Sequence, residues 1–320
     1  MNIVAVVGPT ATGKSDLAVE IAHALGGPQS AEIVNADAYQ LYRGMDIGTA
    51  KVTIPERREI IHHQFDVLDV HEDSSVAAYQ HHARADLAAI AARSRRAIVV
   101  GGSGLYVRAL LDHMNFPGTD PQIRERLESR AREVGTRALY EQLEELDPAA
   151  AHAIGHRNER RIVRALEVIE LTGQPYSANL PTQQYVTPTV TIGLDYDRAA
   201  LDARVETRVE RMMEQGLVDE VASLYEAGMG RTASRAVGYA EIIEHLEGTI
   251  TLAEAQEQIT ANTRRLTRKQ MGWFGRDPRI VWLNGAAPNR LEQALEVIAR
   301  ADQGLIEPTS HGPVRRSLGS

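Results

Sequence analysis

Short, uninterrupted apolar runs recur along this chain, and longer segments with helical spacing of apolar residues separate them. The runs at residues 3–7 and 97–100 contain no polar side chain, and residues 32–34, 190–194 and 279–283 also have strand character. Buried parallel strands produce continuous apolar runs, and the helices that connect them cover both faces of the sheet. This pattern predicts an α/β fold with a parallel sheet flanked by helices.

A change of pattern divides the chain. Between residues 120 and 172 the sequence is charged, has helical spacing throughout and contains no strand candidate. We predict an all-helical insertion domain at 117–187 within an α/β core formed by 1–116 and 188–306. The segment 307–320 is rich in Pro, Ser, Gly and Arg, which predicts a disordered tail. Within the core we predict helices at 76–92, 105–111, 198–227, 239–246, 252–273 and 291–301.

Composition excludes several classes of site. The 320 residues include no cysteine, so a disulfide, a zinc–thiolate site and a cysteine nucleophile are excluded. The net charge of −8 argues against a surface that is basic throughout, but it is compatible with local basic patches. The sequence has no long apolar run and no charged-then-apolar leader, so we expect a cytoplasmic protein without a membrane segment. No apolar stripe in the sequence indicates a subunit interface, and we expect a monomer.

A glycine-rich stretch follows the first apolar run and leads into a helical pattern. It matches G-x-x-x-x-G-K-[ST], in which glycines let the backbone approach an anion and the N–H groups of a helix N-terminus point at it. The lysine adds a positive charge, and the serine hydroxyl is a candidate Mg²⁺ ligand. The sequence therefore predicts a diphosphate-binding loop formed by Gly8, Pro9, Thr10, Ala11, Thr12, Gly13, Lys14 and Ser15.

The sequence beyond this loop bears on which phosphate compound it binds. A nucleotide hydrolase usually carries an acid for Mg²⁺ at the end of an apolar strand, but residues 97–100 lead into Gly101-Gly102. Asp37 closely follows a strand, and a carboxylate there could act as a general base toward an acceptor near the phosphate loop. Asp37 could alternatively cap a following helix. These residues leave both a nucleotide and another diphosphate open as the ligand.

Several longer motifs carry a family resemblance. They follow one another from about residue 3 to 285, and the stretch YRGMDIGTAK at residues 42–51 is far more specific than the phosphate loop. In these motifs the chain resembles the bacterial tRNA dimethylallyltransferases of the IPP transferase family. The further matching stretches, in one-letter code except for the first, are Asn35-Ala36-Asp37, HH at 62–63, GGSGLY at 101–106, RALE at 164–167, GLVDEV at 216–221, VGY at 237–239 and RRLTRKQ at 264–270.

The resemblance implies a P-loop NTPase-like fold and a prenyl transfer reaction. The donor would be dimethylallyl diphosphate, bound at the phosphate loop with Mg²⁺, for which Ser15 would be the protein ligand. The acceptor would be the exocyclic N6 amine of the adenosine adjacent to the anticodon, on its 3′ side, in tRNAs. The catalytic residues would be Asp37 as general base, Thr10 at the bridging region of the diphosphate, and Arg208 as a diphosphate ligand.

The resemblance also implies a tRNA surface, in which the insertion domain clasps the anticodon stem-loop. Ser103 stands where the family commonly has threonine and retains the hydroxyl, whereas Ala38 stands where many members have serine and brings no hydroxyl. The residues that match tRNA contacts are Asp37, Ala38, Tyr39, Gln40, Ser103, Arg124, Arg160, Arg161, Arg164, Arg235, Gly238, Tyr239, Arg268 and Lys269.

The residues themselves, without the family resemblance, are compatible with three other functions. The phosphate loop alone also fits a nucleotide kinase or NTPase. A related isopentenyltransferase acting on free adenine nucleotides would need the same loop, but the large helical insertion favours a macromolecular acceptor. A non-catalytic RNA-binding protein would not depend on Asp37. The arginines of the insertion also have a simpler interpretation, as a solvated helix face.

Overall fold

The computed structural model describes residues 2–179, 183–306 and 318–319 and divides the chain into two compact units. The first unit comprises residues 1–111 and 185–320, and the second comprises residues 112–184. The insertion predicted from the sequence spans residues 117–187, and the second unit spans residues 112–184. The predicted disordered tail at 307–320 lies outside the described residues, except for residues 318–319.

A parallel sheet forms the centre of the first unit. Its strands are β1 (Ile3–Val7), β2 (Ala31–Asn35), β3 (His62–His63), β4 (Arg96–Gly101), β5 (Thr189–Asp195) and β6 (Ile280–Asn284). They lie in the order β3-β2-β4-β1-β5-β6, and Val4 of β1 is in register with Ile98 of β4 and Val190 of β5. The central strands are buried on both faces, which explains their continuous apolar runs and confirms the predicted α/β fold.

Helices cover both faces of this sheet. One apolar cluster joins the helices at residues 14–24 and 290–302 to one face, and a second joins the helices at 76–92 and 104–111 and the end of the helix at 252–274 to the other. The helices of the first unit are α1 (Lys14–Ala24), α2 (Ile54–Arg57), α3 (Val76–Ala92), α4 (Gly104–Leu111), α9 (Arg198–Glu214), α10 (Leu217–Glu226), α11 (Tyr239–Leu246), α12 (Leu252–Phe274) and α13 (Arg290–Asp302). Among the helices of the described ranges, none is both long enough and apolar enough to cross a bilayer.

One predicted helix is wrong in extent. The pattern over residues 198–227 predicts a single helix, whereas α9 ends at Glu214 and α10 begins at Leu217. Gly216 has a left-handed φ of 96°, a conformation that terminates a helix and that glycine adopts without steric cost. The break lets α9 and α10 run in different directions. Each helix can therefore contact residues 46–49, α9 through Arg208 and α10 through Glu220.

The second unit is built from helices. It contains α5 (Pro121–Val134), α6 (Thr136–Leu146), α7 (Pro148–Ile154) and α8 (Glu159–Thr172), packed around a core that includes Leu139, Leu143 and Ile162. The two chain ends of this unit are paired by a hydrogen bond of 2.9 Å from the His113 N–H to the Gln184 carbonyl oxygen. The flanking ends of the first unit are paired likewise, from the Val186 N–H to the Leu111 carbonyl oxygen at 2.8 Å.

Candidate active site

The phosphate loop connects β1 to α1, and its conformation requires glycine at two positions. Gly8 has a φ of +139°, and a Cβ there would lie 2.7 Å from the carbonyl oxygen of Leu194 in β5. Gly13, immediately before α1, has a left-handed φ of +79°. Ala11 also has a positive φ of 64°. Its carbonyl oxygen accepts a hydrogen bond of 2.8 Å from Nε of Arg204, so α9 supports the loop in this conformation.

A cavity of about 610 Å³ adjoins the phosphate loop. The N-terminus of α1, the segment 46–56 and one side of α9 line it. A helix N-terminus favours a bound anion, and the cations add to this preference. The lining includes the cationic side chains of Lys14, Lys51, Arg204, Arg208 and Arg211 and the acidic side chains of Asp16, Asp46 and Glu56.

Lys14 is turned back onto the loop that precedes it. Its Nζ donates a hydrogen bond of 2.6 Å to the carbonyl oxygen of Pro9, which also accepts one of 2.9 Å from the Thr12 hydroxyl. Burial disfavours the charged ammonium; the carboxylate of Asp37 opposes this effect and the guanidinium of Arg208 reinforces it. The pKa of Lys14 is lowered as a result to about 7. Lys14 is therefore only partly charged near neutral pH.

Arg208, on α9, lines the same cavity. Burial lowers its pKa, while the carboxylates of Asp37 and Asp16 act in the other direction. Its Nη2 donates to the carbonyl oxygen of Thr49 at 3.4 Å. Lys14, Arg208 and Asp37 stand far apart in the sequence, and the fold brings their charges within electrostatic reach of one another.

Asp37 follows β2 in a tight, hydrogen-bonded turn. The side-chain amide of Asn35 accepts from the Asp37 N–H at 3.0 Å and donates to the Asp37 carbonyl oxygen at 3.1 Å. One carboxylate oxygen of Asp37, Oδ1, accepts from the Tyr39 N–H at 3.1 Å. The next helix after Asp37 is α2, which begins at Ile54, so the alternative role as a helix cap is wrong. These contacts orient the carboxylate at the carboxyl end of β2.

The glycine turn after β4 lies between the phosphate loop and Asp37. A Cβ at Gly101 would lie 2.3 Å from the carbonyl oxygen of Ala36, so the two loops approach as closely as their backbones allow. The Ser103 hydroxyl accepts the Ala38 N–H at 3.2 Å. Gln270 of α12 accepts the Thr10 N–H at 2.8 Å and donates to the Gly102 carbonyl oxygen at 3.0 Å. The sequence alone gave Gln270 no role of its own.

A second residue without a role in the sequence analysis, Glu220 of α10, holds the segment that lines the cavity. Its carboxylate accepts the backbone N–H groups of Asp46, Ile47 and Gly48 at 3.1, 2.7 and 3.1 Å. It also accepts the hydroxyl of Tyr239 at 2.6 Å. Gly48 lies so close to Tyr239 that a Cβ would be 2.4 Å from its ring. The stretches 42–51, 216–221 and 237–239 therefore form one anchored structure.

The ammonium of Lys51 is paired with other side chains and has a structural role. Its side chain is 3% exposed, and its Nζ lies 2.6 Å from carboxylate oxygens of both Asp46 and Asp66. It also donates to the carbonyl oxygen of Tyr42 at 2.8 Å. Although Lys51 borders the cavity, its charge is already paired.

The tRNA-contact candidates of the first unit differ in accessibility. Arg235 and Lys269 are exposed, whereas Gly238 is buried and the fully buried side chain of Tyr239 donates to Glu220. Arg268 is exposed and lies 3.5 Å from a carboxylate oxygen of Asp202. The structure brings Asp37, Ala38, Tyr39 and Ser103 together, and Gln40 donates to the carbonyl oxygen of Thr49 at 3.1 Å.

Within the second unit, the four candidate arginines fall into two pairs. Arg124 and Arg164 both donate to Glu167, whose side chain is fully buried, at 2.7 and 2.9 Å. Burial alone would raise the pKa of Glu167, but the hydrogen bonds from these arginines outweigh it and lower the pKa. Arg160 and Arg161 are exposed on α8. Arg124 and Arg164 therefore have a structural role whether or not they contact RNA.

Known proteins resemble this chain over nearly its whole length. The model of the IPP transferase family matches residues 40–277. A tRNA dimethylallyltransferase of Bifidobacterium animalis subsp. lactis is 53% identical over 304 residues, covering 95% of this chain and 88% of that relative. One from Kineococcus radiotolerans is 55% identical over 287 residues, covering 88% and 90%. The solved full-length tRNA isopentenylpyrophosphate transferase of Bacillus halodurans is 36% identical with a TM-score of 0.69, covering 94% and 97% of the two chains.

Proposed function

This chain belongs to the IPP transferase family, and from that premise we propose that it transfers a dimethylallyl group from dimethylallyl diphosphate to tRNA. The acceptor is the N6 amine of the adenosine adjacent to the anticodon on its 3′ side. The products are N6-(dimethylallyl)adenosine and diphosphate. The observation that carries this proposal is the grouping of Lys14, Arg208 and Asp37 beside the phosphate loop.

The phosphate-loop side of the site activates the leaving group. In the reaction the bond between the allylic C1 and the diphosphate oxygen breaks, and the diphosphate retains the electron pair. Lys14, Arg208 and the N–H groups at the start of α1 stabilise the charge that develops on it. The Thr10 N–H is bonded to Gln270, and we assign the Thr10 hydroxyl to the bridging region of the diphosphate.

The Asp37 side of the site prepares the acceptor. As the N6–C1 bond forms, the amine loses a proton, and the Asp37 carboxylate accepts it. The Tyr39 N–H and the Asn35 amide hold this carboxylate and its backbone in place. A base in a stacked loop must leave its stack to reach such a site, which requires a flipped adenosine.

The residues of the cavity fit a magnesium ion that is held mainly by the donor. Within residues 2–179, 183–306 and 318–319, no group of three or more acidic or histidine side chains could hold a metal ion. Mg²⁺ commonly takes few protein ligands together with phosphate oxygens and water, and Ser15 is one of the residues that line the cavity. We propose Ser15 as its protein ligand; the bound ion supplies positive charge at the diphosphate.

Exposed basic residues of both units are the proposed contacts to the anticodon stem-loop. They are Arg235, Arg268 and Lys269 in the first unit and Arg160 and Arg161 in the second. The protein acts as a monomer in this proposal, which light scattering coupled to size-exclusion chromatography tests directly.

Transfer of a radiolabelled dimethylallyl group tests the proposed function. Purified protein is incubated with labelled dimethylallyl diphosphate, Mg²⁺ and unmodified tRNA, and nucleosides from digested tRNA are analysed by mass spectrometry. We expect label on an adenosine adjacent to the anticodon. Brisk ATP hydrolysis without transfer would support a kinase or NTPase instead. Transfer to AMP but not to tRNA would support the enzyme class that acts on free nucleotides.

A further inference from the structure

We propose that Gln270 is a positioning residue that sets the separation between the phosphate loop and the Asp37 loop. This inference rests on the proposed function, because it concerns how the leaving group and the acceptor are aligned. Gln270 touches neither reacting group; it acts through the backbone of Thr10 on one side and of Gly102 on the other.

The side-chain amide is the group that fits both partners. Its Oε1 accepts the Thr10 N–H at 2.8 Å, and its Nε2 donates to the Gly102 carbonyl oxygen at 3.0 Å. An ionised carboxylate has no donor for the carbonyl, an ammonium has no acceptor for the N–H, and a thioether of similar size offers at most a weak acceptor. Glutamine thus satisfies two backbone groups that belong to different loops.

The packing around Gln270 makes the bridge stiff. Gln270 is buried, with 9% exposure, and its neighbours Met271 and Phe274 are only 2% and 5% exposed. Phe274 belongs to the apolar cluster beneath the sheet, so α12 is anchored next to the bridge. At Gly102 a Cβ would lie 2.5 Å from Nε2 of Gln270, and glycine is therefore needed for the contact.

The bridge continues toward the proposed base. Val7 of β1 is in register with Gly101 of β4, so the two loops start from adjacent strands. Ser103 follows Gly102 directly, and its hydroxyl accepts the Ala38 N–H next to Asp37. A hydrogen-bonded path thus runs from Thr10 through Gln270 and the glycine turn to the Asp37 loop.

Alignment is the property that this path controls. A displacement reaction depends on the relative position of nucleophile and leaving group, and a displacement of about 1 Å can reduce the rate about a hundredfold. Loss of the bridge would let the phosphate loop move relative to Asp37 without removing any diphosphate ligand. We therefore expect a reduced kcat with little change in either KM, and a larger share of donor consumed by water.

The test compares Gln270→Met, which keeps the volume but loses the amide, with Gln270→Glu, which loses the donor to Gly102. Gln258→Met, at an exposed position on the same helix, is the matched control. For both Gln270 variants we expect kcat for tRNA prenylation to fall at least tenfold. Both KM values should stay within about threefold of wild type, and the ratio of hydrolysed to transferred donor should rise. The control should match wild type in all these measurements.

Thermal unfolding of each variant separates misalignment from misfolding. If Gln270→Met does not fold, Gln270→Asn, which keeps an amide too short to span both loops, is measured in its place. Transfer by wild type together with a kcat within threefold of wild type in the Met or Asn variant would overturn this inference alone. Absence of transfer by wild type would overturn the proposed function and this inference with it.

Discussion

The Nζ of Lys14 lies 2.6 Å from the carbonyl oxygen of Pro9, so the lysine of the phosphate loop is bonded to the loop itself. A carbonyl oxygen is a weaker partner for an ammonium than a diphosphate oxygen would be. Together with the lowered pKa of about 7, this geometry describes a lysine that gains its full charge when an anion arrives.

Donor binding should therefore take up a proton. Between pH 8 and 9.5 Lys14 is mostly neutral in the free enzyme, and a bound diphosphate raises its pKa, so uptake approaches about one proton per donor. Donor affinity should fall by about tenfold per pH unit over this range. Calorimetry in buffers with different ionisation enthalpies measures the uptake. The control is Lys14→Met, for which uptake should vanish; equal uptake by both proteins would contradict the assignment.

Replacing Asp37 by Asn should slow transfer by about 10²–10⁴-fold, because the amide cannot accept the proton from the acceptor amine. The amide oxygen can still accept the Tyr39 N–H, so the turn should persist. Single-turnover prenylation at saturating donor and tRNA measures the chemical step, and donor affinity should change little. Asp37→Ala removes both the base and the acceptor of the Tyr39 N–H, so its comparison with Asp37→Asn separates the two roles. A rate for Asp37→Asn within tenfold of wild type would exclude Asp37 as the base.

Glu220→Ala should destabilise the first unit by about 2–4 kcal/mol, because it leaves the N–H groups of Asp46, Ile47 and Gly48 without their acceptor. Tyr239→Phe removes only the hydroxyl that donates to the Glu220 carboxylate, and it should lower the free energy of unfolding by about 1 kcal/mol. Urea unfolding gives both values. Since the segment 46–56 lines the cavity, Glu220→Ala should also raise the KM for the donor. Equal effects of the two substitutions would show that the backbone contacts contribute little.

The arginines of the second unit should separate into two classes. Arg160→Ala should reduce the slope of log affinity for tRNA against log salt by about 0.7–0.9, the effect of losing one phosphate contact, with unchanged thermal stability. Arg124→Ala should lower stability by about 1–3 kcal/mol, because it removes one hydrogen-bonding partner of the buried carboxylate of Glu167. Filter binding over a salt series and thermal unfolding measure the two properties. A stable Arg124→Ala protein with only weakened tRNA binding would contradict this division.

Local patterns in the sequence were sufficient for the sheet and for the glycine turn between β1 and α1. A buried parallel strand needs a continuous apolar run, and this turn needs glycine at Gly8 and Gly13 because both have a positive φ, so both features leave a signature within a few residues. The break at Gly216 escaped prediction because the apolar spacing continues on both sides of it, while the backbone turns.

Contacts between distant segments could not be predicted in the same way. Gln270 and Thr10 are 260 residues apart, and Glu220 is 172 residues from Gly48. A glutamine or glutamate that serves backbone groups elsewhere looks like any polar residue of an amphipathic helix. The same limit applies to Arg124 of α5 and Arg164 of α8, because their positions on two charged helices do not reveal that both donate to the buried Glu167.

The paired chain ends at the border of the second unit have a consequence for the history of this protein. The chain ends of each unit are hydrogen-bonded neighbours, Leu111 with Val186 in the first and His113 with Gln184 in the second. A segment with adjacent ends can be gained, shortened or exchanged during evolution without altering the strand order of the host sheet. Length variation among relatives should accordingly concentrate between residues 112 and 184, and the number and order of strands in the sheet should stay the same.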